Sequence, residues 1–281
     1  MSVSVAFDKA RADGRAALVG YLPAGFPTVE GGIEAVRAMA EAGVDLVEVG
    51  FPYSDPVMDG PVIQRASEIA LERGVHAADV LRTVAAVAET GVPVVVMTYW
   101  NLVEHYAGGG SERGVRVFAR DLVNAGGSGL ITPDLIPDEA ADWLAASDEY
   151  GLDRIFLVAP SSTDARVAMT VAACRGFVYA TSVMGVTGAR DVTSGAAPTL
   201  VARVRKATGL LPPGSAALPV GVGLGVRDGN QAAEVGSFAD GVIVGSALVK
   251  CLLDAPSTGA GLESLRTLTA DLAAGVRRSV R

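Results

Sequence analysis

Two carboxylates in one short segment could act as a general acid and base. Glu48 lies in the apolar segment 46–49, and Asp59 lies in the Gly- and Pro-rich segment that follows it, up to Pro61. Side chains alternate along a strand, so Leu46 and Glu48 share one face. A strand buried on both faces cannot easily hide a lone carboxylate. Glu48 therefore either pairs with an arginine or faces an open site.

The local sequence predicts different roles for the two carboxylates. Apolar surroundings should raise the pKa of Glu48, which would suit its carboxyl group to acid and base catalysis near neutral pH. Local sequence favours a structural interpretation of Asp59, as a turn residue before Gly60 or as a cap for a helix that starts at Pro61. The segment alone therefore leaves both roles open.

Strand and helix patterns alternate eight times along the chain. Strands are predicted at residues 16–22, 46–49, 93–98, 129–132, 154–159, 177–181, 218–222 and 241–244, and helices at 28–42, 62–73, 78–90, 115–124, 138–150, 164–174, 199–208, 229–235 and 261–277. The strands are continuous apolar runs, as expected when other layers cover both faces. This pattern predicts an α/β fold, a single-domain (β/α)8 TIM barrel over residues 1–281. A doubly wound open sheet is the alternative.

A barrel would place chemistry at the carboxyl ends of its strands. Val47 and Val49 would then face the helices, and Glu48 would point into the barrel mouth beside the segment that carries Asp59. Met97, Tyr99 and Trp100 are interpreted mostly as barrel packing, although Tyr99 and Trp100 lie where an aromatic substrate could stack.

Three Gly-rich segments follow late strands and are typical of a phosphate site. They are GVTG at 185–188, GVGLG at 221–225 and GSA at 245–247. Glycines let backbone N–H groups approach an anion, and an extra short helix opening at Ser246 would direct its positive end toward that anion. Each segment alone is a weak signal, because glycine also serves ordinary turns.

Composition excludes several classes of partner and compartment. The net charge is -8 and no Lys/Arg run occurs, which argues against nucleic acid or an anionic membrane. Cys174 and Cys251 fit no disulfide or metal spacing and are expected to be small hydrophobes in a reducing cytoplasm. Charged residues interrupt the first 21 residues, so no signal peptide is expected. Prolines interrupt the uncharged window 207–226, which predicts a loop followed by a strand.

Other catalytic residue types are poorly placed. Schiff-base chemistry needs a lysine at a strand end, but Lys9 and Lys206 lie on or before helices. Lys250 lies beyond Ser246 in the predicted phosphate helix and is expected at the surface. His76 and His105 have no companion at metal-ligand spacing, so no metal site is predicted. Ser161 and Ser162 are better interpreted as helix caps than as a catalytic pair.

The segment VEVGFPYSDPVMDGP resembles the signature of the tryptophan synthase alpha chain family. The resemblance extends through LVGYLPAGFP, YWNL, TPDLIPDEA, FVYATSVMGVTGAR, VGVGLG and VIVGSALVK, and so over nearly the whole chain. It implies a cytoplasmic lyase of tryptophan biosynthesis that cleaves indole-3-glycerol phosphate to indole and glyceraldehyde 3-phosphate without a cofactor of its own. It also implies a pyridoxal-phosphate-dependent beta chain as partner, in an alpha2-beta2 heterotetramer.

The resemblance also implies roles for residues at matching positions. Glu48 would be the general acid/base, and Asp59 would meet the indole N–H. Asp55 and Pro56 would face the beta chain, and Thr187 would lie on a mobile lid that engages Asp59. The residues expected to bind substrate are Tyr21, Tyr99, Tyr179, Thr187, Gly188, Gly221, Gly223, Gly245 and Ser246.

The sequence departs from the family pattern at three places. Met58 stands where a smaller residue is common, Val222 where an aromatic residue can line the indole pocket, and the loop 104–113 is longer than usual. Three other functions stay open on sequence alone: a free-standing indole-releasing lyase, a mainly allosteric module that activates a beta chain, and another phosphate-binding barrel such as an isomerase.

Overall fold

Eight parallel strands form a closed barrel in which each strand pairs with its neighbours in chain order and the last pairs with the first. The computed structural model describes residues 2–108, 111–181, 196–212, 215 and 217–279. The strands are β1 (Ala17–Pro23), β2 (Leu46–Gly50), β3 (Val94–Met97), β4 (Gly129–Thr132), β5 (Asp153–Val158), β6 (Val178–Thr181), β7 (Val220–Gly223) and β8 (Gly241–Val244). This closed order confirms the predicted (β/α)8 barrel and excludes the open doubly wound sheet.

Helices cover the outside of the barrel and one of its ends. Within the described residues they are α1 (Ser4–Ala12), α2 (Val29–Glu41), α3 (Pro61–Glu72), α4 (Ala77–Ala88), α5 (Trp100–Glu104), α6 (Val115–Asn124), α7 (Ala141–Tyr150), α8 (Asp164–Ala173), α9 (Ala196–Thr208), α10 (Gly229–Gly236), α11 (Ser246–Leu253) and α12 (Thr258–Arg278), with a 3₁₀ helix at Pro137–Glu139. The extra short helix predicted after the eighth strand is α11. The sequence did not predict α1 or α5.

Helix α1 closes the end of the barrel at which the strands begin. The ring of Phe7 lies 5.2 Å from that of Phe177 and packs against Gly241, the first residue of β8. The backbone N–H of Val3 donates to the carboxylate of Asp153, the first residue of β5, at 2.8 Å. This end is therefore filled, and the open mouth is at the carboxyl ends of the strands.

The strands pack in two layers, because their side chains alternate between the barrel interior and the helices. The interior layer includes Val19, Leu46 and Val95 from three successive strands. Val47 and Val49 belong to the second layer, between the strands and the helices. Both layers are apolar, which explains the continuous apolar runs in the sequence, and the predicted orientation of Val47 and Val49 is confirmed.

The start of α8 corrects one prediction. Thr163 is the N-cap residue, and its side chain accepts a hydrogen bond from the backbone N–H of Arg166 at 3.2 Å. The hydroxyl of Ser162 instead accepts from the backbone N–H of Ala159 at 3.1 Å. The prediction that Ser161 and Ser162 cap the helix is therefore wrong, since Thr163 is the residue whose backbone turns from extended to helical.

Other features of the chain agree with the sequence. None of the helices in the described ranges is long and apolar enough to cross a membrane. In the window 207–226, α9 ends at Thr208 and β7 begins at Val220, so the strand predicted there is confirmed. Both cysteines are free; Cys174 is buried, and burial raises the pKa of its thiol to about 12. Cys174 is therefore a small core residue rather than a nucleophile.

Candidate active site

Glu48 lies at the barrel mouth and has no partner for its charge in the part of the chain that the structure describes. It is two residues before the end of β2 and is in register with Tyr21 on β1 and Val95 on β3. Its side chain is 1% exposed, and within the described part of the chain neither carboxylate oxygen has a hydrogen-bond partner. Burial raises the pKa of Glu48 to about 8. The predicted rise is confirmed, and pairing with an arginine is wrong for the described residues.

Asp59 lies in the loop between β2 and α3, and its side chain is turned toward β3. Its Oδ1 atom accepts a hydrogen bond from the hydroxyl of Tyr99 at 3.3 Å. Its backbone carbonyl accepts from the side-chain amide of Gln64, in α3, at 2.8 Å. Helix α3 begins at Pro61 after Gly60, without a side-chain cap. The interpretation of Asp59 as a helix cap is therefore wrong.

The pKa of Asp59 reflects two opposing effects. Burial raises it above its ordinary value, and the hydrogen bond from Tyr99 lowers it. A carboxylate that accepts a hydrogen bond is stabilised in its charged form, so the phenol helps Asp59 to stay ionised despite burial. Glu48 has no such donor among the described residues. Burial thus raises the pKa of both carboxyl groups, but within the described residues only that of Asp59 is opposed by a hydrogen bond, which favours Glu48 as the acid and Asp59 as the electrostatic stabiliser.

Two buried tyrosines lie close to both carboxyl groups. Burial raises the pKa of Tyr21 well above its usual value, and the negative charges of Asp59 and Glu48 raise it further. Burial likewise raises the pKa of Tyr179, with additional effects from Glu48 and then Asp59. Both phenols are therefore neutral at physiological pH. Four predicted residues, from three separate parts of the sequence, thus meet at one site.

Glycines make room for these tyrosines. A Cβ atom on Gly50, the last residue of β2, would lie 2.2 Å from the hydroxyl oxygen of Tyr21. A Cβ atom on Gly223, at the end of β7, would lie 2.8 Å from the hydroxyl oxygen of Tyr179. Neither position has space for a larger side chain unless the tyrosine moves. The role of Gly50 was missed, because a glycine at a strand end has no distinctive sequence signal.

The predicted phosphate glycines lie at different depths. Gly223 ends β7, Gly245 follows β8 beside the ring of Tyr21, and Ser246 is the first residue of α11. Gly221 lies deeper in the barrel, where a Cβ atom would be 2.9 Å from the ring of Phe177. Gly223, Gly245 and Ser246 thus surround one end of the mouth, whereas Gly221 accommodates core packing.

Some predicted residues are placed elsewhere or lie outside the described residues. Thr187 and Gly188 fall in the range 182–195, which is not among the described residues. Val222, one of the departures from the family pattern, packs with helix residues on the opposite face of β7 from its neighbouring glycines. Lys250 is exposed on α11 and lies 3.6 Å from Asp254, as expected for a surface lysine.

The rim of the mouth carries the segment expected to meet a partner. Asp55 is exposed and Pro56 is half-buried in the loop after β2. Next to them Val57 is 70% exposed, an apolar residue that the sequence reasoning did not single out. The described residues contain no group of three or more His, Cys, Asp or Glu side chains that could hold a metal ion.

A closed barrel whose buried glutamate has no hydrogen-bond partner among the described residues, with a nearby aspartate and glycines at its last strand ends, is typical of a (β/α)8-barrel enzyme. A sequence model of the family described as "Tryptophan synthase alpha chain" matches residues 7–276. The chain therefore belongs to the tryptophan synthase alpha chain family.

Individual relatives agree with this assignment over nearly the whole chain. A tryptophan synthase alpha chain from Salinispora arenicola (strain CNS-205) is 69% identical over 275 residues, which span 98% of this chain and 97% of the relative. A chain in the solved structure of Mycobacterium tuberculosis tryptophan synthase is 57% identical, with a TM-score of 0.88 and 98% of each chain covered. The tryptophan synthase subunit alpha of Legionella pneumophila str. Paris is 31% identical, with a TM-score of 0.82 and 98% of each chain covered.

Proposed function

We propose that this chain is the alpha subunit of a tryptophan synthase and cleaves indole-3-glycerol phosphate to indole and glyceraldehyde 3-phosphate. The observation that carries the proposal is Glu48, a carboxyl group that is 1% exposed, has no hydrogen-bond partner among the described residues and lies at the same barrel mouth as Asp59. Membership of the family supports the same substrate and reaction.

Glu48 acts first as an acid and then as a base. Its raised pKa of about 8 means that it carries a proton at pH 7. It donates this proton to C3 of the indole ring, which gives an indolenine whose C=N bond can accept electrons. The resulting carboxylate then removes the proton from the hydroxyl on the carbon attached to C3. The carbon–carbon bond breaks, indole and the aldehyde form, and Glu48 is protonated again. Each such proton transfer contributes roughly 10² to 10⁴ in rate.

Asp59 stabilises the positive charge that develops on the ring nitrogen. Protonation at C3 leaves the N–H electron-poor, and an ionised carboxylate there would lower the energy of the transition state. The hydrogen bond from Tyr99 favours this ionised form. Asp59 is therefore assigned to bind the indole N–H. Tyr21 and Tyr179 are assigned to pack beside the indole ring.

The phosphate is assigned to the glycine-lined end of the mouth. Gly223, Gly245 and Ser246 would offer backbone N–H groups and the positive end of α11 to the anion. Thr187 and Gly188, outside the described residues, would complete the phosphate site and the lid, as the family resemblance implies. Anchoring the phosphate would fix the distance of the ring from Glu48 and Asp59.

The partner is proposed to be a tryptophan synthase beta chain in an alpha2-beta2 complex. The family carries no cofactor of its own, and pyridoxal phosphate belongs to the beta chain. Asp55 and Pro56 are assigned to the contact with that chain. The 70% exposure of the apolar side chain of Val57 beside them supports this choice, because a partner would cover it.

Two further proposals concern the domain organisation and the location of the chain. Residues 1–281 are proposed to form one barrel domain, because both α1 and α12 pack against β1. A cytoplasmic location is proposed, because both cysteines are free and biosynthesis of an amino acid belongs there.

The test is indole release by Glu48→Gln, measured as turnover and as binding of indole-3-glycerol phosphate. Glutamine keeps the shape of the side chain but cannot donate and recover a proton, so turnover should be abolished while binding is retained. Glu68→Gln, which changes an exposed glutamate on α3, is the matched control and should retain full turnover. Near wild-type indole release by Glu48→Gln would exclude the assigned role.

The same assay with and without a beta chain separates the remaining functions. Stimulation of indole release by the beta chain is expected for an alpha subunit. Equal release in both conditions would favour a free-standing lyase. Substrate binding and stimulation of the beta chain without any indole release would favour an allosteric module, and conversion of substrate without glyceraldehyde 3-phosphate would favour an isomerase.

A further inference from the structure

One phenol bonds to two consecutive residues of the loop that carries Asp59. The hydroxyl oxygen of Tyr99 accepts a hydrogen bond from the backbone N–H of Met58 at 3.0 Å. The same hydroxyl donates its proton to Oδ1 of Asp59 at 3.3 Å. A phenol has one proton and accepts through its oxygen, so these two bonds use it in complementary ways. Both the main chain and the carboxylate of the loop are therefore tied to one side chain.

Tyr99 is itself held by the barrel. It lies two residues after the end of β3, is the N-cap residue of α5 and is 5% exposed. Its ring lies 5.1 Å from the ring of Tyr53, at an interplanar angle of 33°. The next backbone N–H, that of Trp100, donates to both carboxylate oxygens of Asp134, after β4, at 3.0 and 3.1 Å. The phenol is thus presented from two strand ends, which makes it a rigid support.

The loop that Tyr99 contacts also contains an exposed apolar residue. Val57, two residues before Asp59, is 70% exposed. The side-chain amide of Gln64 holds the backbone carbonyl of Asp59, but that bond does not orient the carboxylate. Orientation of a catalytic group within tenths of an ångström requires bonds to the group itself.

We propose that Tyr99 is a positioning residue whose hydroxyl orients the carboxylate of Asp59 toward the indole N–H. This inference rests on the proposed function, in which Asp59 meets that N–H. It differs from the substrate stacking expected for Tyr99 from the sequence, because the hydroxyl rather than the ring face carries the role. The phenol stays neutral in this role: burial, and then the charge of Asp59, raise the pKa of Tyr99 to about 12.

The hydrogen bond also affects the charge of Asp59. The described titratable groups that face it are Tyr21 on β1, Tyr99 after β3 and Tyr179 on β6, and Glu48 lies near the same two barrel tyrosines. Burial raises the pKa of Asp59 and Tyr99 lowers it. Loss of the Tyr99 hydroxyl should therefore raise the pKa of Asp59 further. The fraction of ionised Asp59 at a given acidic pH would fall.

Tyr99→Phe is the variant that tests the proposal, because it keeps the ring and removes only the hydroxyl. Loss of a hydrogen bond to a charged catalytic group lowers the rate by about 10-fold or more when the group is misplaced as a result. We expect kcat for indole release to fall by about 10-fold with little change in KM, and the acidic limb of the pH–rate profile to move to higher pH. Removal of a stacking surface would instead raise KM.

Tyr106→Phe is the matched control. Tyr106 is 7% exposed, and its hydroxyl donates to a carboxylate oxygen of Asp121, in α6, at 3.0 Å. This variant removes the same type of bond in the layer between the strands and the helices, where the ring of Tyr106 packs against Phe118 of α6. Its kcat, KM and pH profile should equal those of the wild type. If Tyr106→Phe lowers kcat as much as Tyr99→Phe, the effect is a general loss of stability and the proposal is wrong.

A second readout does not depend on turnover. The carboxyl carbon of Asp59 can be titrated by NMR in protein with ¹³C-labelled aspartate, with Asp59→Asn used to assign the signal. Tyr99→Phe should raise the pKa of Asp59, and Tyr106→Phe should leave it unchanged. An unchanged pKa in Tyr99→Phe would overturn the proposal even if the wild type released no indole. Wild-type inactivity with and without a beta chain would overturn the proposed function instead.

Discussion

Replacement of Glu48 by glutamine should change how the stability of the protein depends on pH. Glu48 is buried without a hydrogen-bond partner among the described residues, and burial raises its pKa from 4.5 to about 8. The protonated carboxyl is therefore favoured in the folded state. This favourable contribution is complete below pH 4.5 and is lost as the pH rises toward 8, because the unfolded chain then releases a proton that the folded chain retains.

The size of the effect follows from the shift in pKa. Each unit corresponds to about 1.4 kcal/mol, so the rise from 4.5 to about 8 changes the free energy of unfolding by about 5 kcal/mol between low and high pH. About 3 kcal/mol of this loss should already have occurred at pH 7. Glutamine does not titrate, so the variant should not show this loss.

The measurement is urea unfolding of the wild type and Glu48→Gln at pH 5, 6, 7 and 8. The other titrating groups are common to both proteins, so the difference in their free energies of unfolding isolates Glu48. We expect the variant to gain roughly 3 kcal/mol relative to the wild type between pH 5 and pH 8. Glu68→Gln, at an exposed site, should show a constant difference. A constant difference for Glu48→Gln as well would refute the claim that this carboxyl is held neutral.

Three further predictions concern other parts of the barrel. Asp59→Asn should lower kcat for indole release by about 10²-fold or more, because an amide cannot balance the charge on the ring nitrogen. The measurement is steady-state kinetics, and an unchanged kcat would contradict this role of Asp59. Gly50→Ala should displace the hydroxyl of Tyr21, which lies 2.2 Å from the new Cβ, and lower turnover; normal kinetics would show that the tyrosine tolerates the shift. Gly275→Ala places a Cβ 2.1 Å from the carbonyl oxygen of Gly229 where α12 meets α10, and should cost about 1–3 kcal/mol or more in urea unfolding.

The barrel could be predicted from local patterns because its strands and helices are encoded by near neighbours in the chain. Continuous apolar runs at residues 129–132 and 241–244 predicted β4 and β8 with the same boundaries as the structure. Helix α1 was missed, since its apolar residues are interspersed with charges and only the contact between Phe7 and Phe177 shows that it closes the barrel. Packing over a distance leaves no such pattern in the sequence.

The sequence by itself determined the type and order of the elements and the face on which Glu48 lies. Strand alternation and turn chemistry depend on adjacent residues, so they can be recognised without the fold. The tertiary structure alone decided that Glu48 lacks a partner among the described residues and that Asp59 bonds to Tyr99 rather than capping α3. The pKa and orientation of a carboxyl group depend on burial and on donors from distant strands, which only the closed barrel brings together.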